Sequence, residues 1–205
     1  MNKTGSHGGD AVSAVSKGEQ THARLRKAAA AVFALRGFHA TKVSDIVEQL
    51  GVSQPTFYNY FASKEAAYDE LVQEFRRRLQ ALTATLLIEP GIPSAEVVDR
   101  VALSFRKFLD FLADDPDLTE IGFFQPPGCT PTKVGMAAWI ASNIAQEQHS
   151  GLFRDEVPAP QVGQCFVGMV DQMARNRPDA ATRAALAQGC ARLLCNGLWA
   201  RPLPA

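Results

Sequence analysis

Between Ser53 and Tyr60 the chain reads SQPTFYNY, which places amide, hydroxyl and phenol groups within one short segment. Ser53 can cap a helix there, and Pro55 can sit in its first turn without losing a hydrogen bond, because the first N–H groups of a helix have no internal partner. If Phe57 and Phe61 face inward at i and i+4, then Gln54, Pro55, Thr56, Tyr58 and Asn59 face outward. Such groups are poorly suited to proton transfer at neutral pH. An amide donates and accepts at once, so Gln and Asn can pair at two points with the edge of adenine, and Thr and Pro offer apolar contact to a thymine methyl. Plain solvation produces the same kind of polar face, so the surrounding elements have to decide between the two.

Those elements are helices. Leu25, Ala28, Ala29, Val32 and Phe33 form an apolar stripe over about 19–36, ended by Gly37. Ile46, Val47 and Leu50 predict a second helix over about 42–50, and the SQPTFYNY helix spans about 54–60. The Leu50-Gly51-Val52-Ser53 turn between them has helix-turn-helix spacing, with Gly51 supplying a left-handed backbone. Phe33, Phe38, Ile46, Leu50, Val52, Phe57 and Phe61 are the expected three-helix core. A fourth helix begins at the Ser63 cap and runs about 24 residues, carrying Tyr68, Leu71, Val72, Phe75, Leu79, Leu82 and Leu86 on one face. Five more helices follow, over about 95–113, 117–124, 132–149, 160–175 and 180–199. The expected class is all-α, with about nine helices. Residues 1–18 read as a disordered arm, 19–65 as the helix-turn-helix domain, and 66–205 as a larger helical domain.

Charge divides along the same line. The 205 residues carry 21 basic and 21 acidic side chains, yet residues 1–64 hold eight Lys/Arg against four Asp/Glu. A basic head on an acidic body suits contact with a polyanion at one end. No run is long and apolar enough to span a bilayer, and the N-terminus lacks a signal-peptide core, which predicts a cytoplasmic protein. Cys129, Cys165, Cys190 and Cys195 form no CxxC pair, and the three at apolar positions of predicted helices, Cys165, Cys190 and Cys195, read as small buried hydrophobes. Neither a metal nor a cofactor is expected. The absence of a phosphate loop, nucleophile elbow or HExxH motif argues against an enzyme.

The stretch Thr21–Val72, with its pieces AAAAVFALRGFHAT, VSDIVEQLGVS, QPTFYNYF and SKEAAYDELV, resembles the DNA-binding domain of TetR/AcrR-family regulators without insertion or gap. The resemblance implies a recognition helix reading bases through Gln54, Pro55 and Thr56, with Ser53 and Asn59 on the same face. It implies backbone contacts from Tyr58 and Tyr60, a phosphate anchor at Lys64, and further contacts from Thr41, Lys42 and Ser44. Tyr60 departs from the His common at that position. The resemblance also implies a homodimer on a double-stranded operator, with recognition helices spaced by one DNA turn of about 34–36 Å or a multiple of it. Pairing would use the two C-terminal helices, where Gly163, Gly168, Ala187, Gly189 and Gly197 would permit close approach. A small-molecule effector site is implied between the fourth and eighth helices. The residues expected to line it are Phe75, Leu79, Phe105, Phe108, Phe124, Trp139, Asn143, Phe166, Met169 and Met173, a set suited to an apolar ligand. The expected function is a repressor released by that ligand. A dimeric regulator without an effector and a ligand-dependent activator are the alternatives.

Overall fold

The computed structural model describes residues 16–197, and its regular secondary structure there is all helical. The helices are α1 (Lys17–Arg36), α2 (Val43–Glu48), α3 (Gln54–Tyr58), α4 (Lys64–Ala84), α5 (Val97–Asp114), α6 (Pro116–Thr119), α7 (Cys129–His149), α8 (Ala159–Ala174) and α9 (Ala180–Asn196). A 3-10 turn at Ser94–Glu96 leads into α5, and a π-helical turn at Glu120–Phe124 follows α6. The arm expected over 1–18 falls outside the described residues up to position 15, as does the end of the chain beyond Gly197.

Helix starts follow local chemistry. Ser16 and Glu19 form a reciprocal capping box, so α1 begins two residues earlier than its apolar stripe indicates. Ser63, Asp115 and Asp179 cap α4, α6 and α9 through bonds to the N–H groups of Ala66, Leu118 and Thr182. The α2 helix stops at Glu48, short of the predicted residue 50, because the chain is already turning: Gly51 has φ +66° and the Val52 N–H reaches back to the Val47 carbonyl.

One continuous apolar cluster runs from the α1–α3 head through α4 into the body. In the head, Phe33, Ile46 and Phe57 are completely buried, with Phe61 beside them, while Phe38, Leu50 and Val52 pack around the cluster partly buried. In the body, α5 lies along α9 and α7 lies along α8. The segment after α6 ties the two regions together. The Tyr68 hydroxyl on α4 donates to the Ile121 carbonyl (3.1 Å) and accepts from the Gly128 N–H (3.1 Å), and the Gln125 amide donates to the Ala34 carbonyl on α1 (2.9 Å).

Candidate nucleic-acid interface and ligand cavity

The buried ring of Phe57 orients α3. With it fixed inward, Ser53, Gln54, Pro55, Tyr58 and Asn59 are exposed, and Thr56 is half-buried. Tyr58 is 53% exposed and stands edge-on to Phe57, with ring centroids 5.6 Å apart. The Ser53 hydroxyl pairs with that of Thr56 at 3.1 Å. The Tyr60 ring is half-buried and stacks on His22 of α1 (5.6 Å, 8° between planes), which leaves less of it open than the outward α3 residues.

Two of the expected phosphate-side residues do structural work. Thr41 is only 2% exposed, and its hydroxyl donates to the Gly37 carbonyl at 2.8 Å. Its side chain therefore braces the α1–α2 turn and does not reach the surface, which removes it from the contact set implied by the resemblance. The Lys64 ammonium does not lie among backbone N–H groups. It donates to the carbonyls of Phe38 and Thr41, both at 3.0 Å, and sits 4.5 Å from the Phe38 ring centroid. Two of its three N–H groups thus lock the start of α4 onto the α1–α2 turn. Lys42 is exposed and Ser44 half-buried at the start of α2. The Asp45 carboxyl is held below its ordinary range by the Lys42 N–H and by Arg36, whose guanidinium lies 3.0 Å away. The first turn of α2 is fixed in this way.

Behind this head, α4 passes from Lys64 to Thr83, about 30 Å at helical rise. At its far end lies a cavity of about 510 Å³ between α4, α5, α7, α8, α9 and the α7–α8 connection. Its walls are mainly apolar, and its size falls in the range of small-molecule sites. Of the ten expected lining residues, Phe108, Asn143 and Phe166 border it. The other seven lie elsewhere. Phe105 stacks flat on Phe166 (3.9 Å, 14°) and Leu79 is fully buried. Phe75 packs over Gly122, where a β-carbon would come within 2.6 Å of its ring. Trp139 covers Gly135 on its own helix, Met169 and Met173 pack against the core, and Phe124 borders a separate cavity of about 210 Å³. Sequence periodicity finds buried apolar residues but cannot tell a filled position from a cavity wall. It also missed Glu147, a wall residue that is 4% exposed, since an acid inside a helix reads as a solvated position.

The faces of α8 and α9 sort the small residues. Gly163 packs inside the subunit, its α-carbon so near α7 that a β-carbon would sit 2.4 Å from the Ala137 carbonyl, and Ala187 is buried. Gly168 and Gly189 are open, as are Cys165 and Leu193 (42% exposed). The exposure of Cys165 corrects the expectation that it is buried. Among the described residues, no group of three or more His, Cys, Asp or Glu is placed to hold a metal ion, and no helix is long and apolar enough to cross a membrane.

A short helix carrying outward amides and hydroxyls, set on a three-helix head and joined by one long helix to a cavity-bearing helical body, defines a helix-turn-helix transcriptional regulator. Residues 25–71 match the profile described as bacterial regulatory proteins, tetR family. The chain is 43% identical over 158 residues to the HTH-type transcriptional regulator YdgC of Bacillus subtilis, covering 77% of this chain and 81% of that protein. It belongs to the tetR family. Two solved structures share the fold. One is the fatty acid degradation regulator FadR of Bacillus halodurans (TM-score 0.70, 22% identity, 88% of this chain and 97% of that one). The other is FadR of Bacillus subtilis in complex with stearoyl-CoA (TM-score 0.67, 20% identity, 87% of this chain and all of that one).

Proposed function

We propose that this regulator acts in the cytoplasm as a repressor, binding a palindromic operator as a homodimer and leaving it when a small, largely apolar molecule fills the cavity. The observation that carries the reading is the continuity of α4, which has the α1–α2 turn of the head locked to its first residue through Lys64 and the cavity wall at Thr83. The recognition contacts are Gln54, Pro55 and Thr56, flanked by Ser53 and Asn59. Lys42, Ser44, Tyr58, Tyr60 and the remaining N–H of Lys64 face the phosphate backbone.

One α3 offers too few base contacts for selectivity, so two copies must act together. Their pairing uses the outer faces of α8 and α9, where Cys165, Gly168, Gly189 and Leu193 stand open. Release is a shift between two poses of α4, and it requires the ligand to bind them unequally. The Tyr68 and Gln125 bonds give such a shift a route to α1. The stearoyl-CoA held by the B. subtilis FadR supports a long apolar ligand as one occupant of this kind of body.

The test is selection of bound duplexes from random DNA, followed by displacement with a metabolite panel. Enrichment of an inverted repeat and release by at least one apolar compound are expected. Enrichment of no sequence would overturn the operator reading. Operator binding insensitive to every compound that stabilises the protein would overturn the effector reading.

A further inference from the structure

Four polar side chains around the 510 Å³ cavity turn hydrogen-bond donors onto the backbone. The Asn143 amide NH2 donates to the Thr83 carbonyl at 3.0 Å. The Gln148 NH2 donates to the carbonyls of Arg154 and Val157, both at 2.9 Å, which uses both of its hydrogens. The Thr83 hydroxyl donates to the Leu79 carbonyl (2.9 Å) and the Ser104 hydroxyl to the Arg100 carbonyl (3.3 Å). Oxygens are what these groups have left to offer a ligand.

Glu147 belongs to the same wall and is almost fully buried. One carboxylate oxygen accepts the Ile88 N–H at 2.9 Å, which occupies one of about four acceptor positions. Burial pushes its pKa up, with the Ile88 bond opposing. Among the described residues no basic side chain forms an ion pair with it, and Arg154, the basic residue bordering the cavity, is exposed. A buried carboxylate without a counter-charge is costly unless a partner supplies one.

We propose that the cavity is built for a lipophilic organic cation, an apolar or aromatic body bearing a protonated amine, with Glu147 as its counter-charge and the Asn143 and Gln148 oxygens accepting its N–H groups. This rests on the cavity being the effector site and specifies the head group the effector carries. A free carboxylate in the same position would face Glu147 across a low-dielectric gap and find the Thr83, Ser104 and Gln148 donors already committed.

The experiment compares three probes of equal chain length at about pH 8, above the ordinary carboxylate range and below that of an alkylammonium: decylamine, 1-decanol and decanoate, each titrated calorimetrically into the full-length protein. Decylamine is expected to bind at least about tenfold tighter than decanoate, with decanol between them. In Glu147→Gln, which keeps the acceptor for Ile88, the amine preference is expected to fall to within about threefold while decanol affinity stays near that of the wild type. Should the variant lose decanol binding as well, the wild-type ranking alone decides. Decanoate binding as tightly as decylamine in the wild type would overturn the assignment, as would an amine preference undiminished in an intact Glu147→Gln. If all three probes bound alike, the effector cavity would stand and only the head-group assignment would fall. If none bound, both would fall.

Discussion

Gln54 stands outside the Phe57 side of α3, so replacing it with Ala removes the proposed base-reading group without disturbing the core. The expected loss is about 1–3 kcal/mol of discrimination between the selected operator and a single-base variant, with little change on random duplex. Competition binding at fixed salt measures both, and an equal loss on both duplexes would show that Gln54 does not read sequence. Glu147 gives a prediction about stability. Its raised pKa means that the native state holds this proton more tightly than the unfolded chain does. The stability it contributes is fully present below the ordinary carboxylate value of about 4.3 and is lost as pH rises through the higher native value. The cavity-lining ionisable neighbours are Arg154, which is exposed, and Cys195, whose thiol burial keeps protonated. Glu147→Gln should therefore melt higher than the wild type at about pH 8, with the gap closing towards about pH 4.5. A gap that widened on acidification would refute the assignment of the cost to a buried carboxylate. The outward residues of α3 were legible at this scale because one buried aromatic fixes a helix face. The interior position of Thr41 was not, because a hydroxyl satisfied by a backbone carbonyl looks the same in sequence as one facing water.

Helix periodicity located every long element to within a few residues, and local cap and turn chemistry explains two of the shifts. Ser16 with Glu19 starts α1 early, and the Gly51 turn ends α2 early. The segment after α6 was expected to be plain helix over 117–124 and instead widens into a π-helical turn, with Phe75 occupying the space over Gly122. No local pattern encodes the contact made there, because the ring over Gly122 is contributed by α4. The Tyr68 hydroxyl bridges this turn to the start of α7 from within the core. Tyr68→Phe keeps the ring packing and strands the Gly128 N–H and the Ile121 carbonyl, so a loss of about 1–3 kcal/mol in denaturant unfolding is expected. If the bridge also carries the cavity signal, ligand-induced release from DNA should weaken in the same variant while ligand affinity holds. Release undiminished after a measurable stability loss would confine Tyr68 to a structural role.

Over the whole molecule, a basic head and an acidic body meet along α4, and the outer faces of α8 and α9 remain available for a second copy. Leu193 on α9 is the most informative position there, since its exposure within the subunit makes a change to Glu nearly neutral for the monomer fold. In a two-fold interface the same change buries a charge near its symmetry mate. Leu193→Glu is expected to sediment as a monomer at micromolar concentration and to lose at least about tenfold in operator affinity, with an unchanged helical spectrum. A variant that stayed dimeric would place the interface elsewhere.

The order of helices, the helix-turn-helix spacing, the charge division and the residues on the outer face of α3 were all set by local sequence, because caps, turns and 3.6-residue periodicity act over a few neighbours. The tertiary structure alone decided where empty space lies. Phe75, Phe105 and Leu79 fill the interior, whereas Phe108, Asn143, Glu147 and Phe166 border a cavity, and Gly163 serves α7 while Gly168 faces outward. Periodicity assigns a residue to a face, but only the packing of helices distant in sequence determines whether that face meets a side chain, a void or solvent.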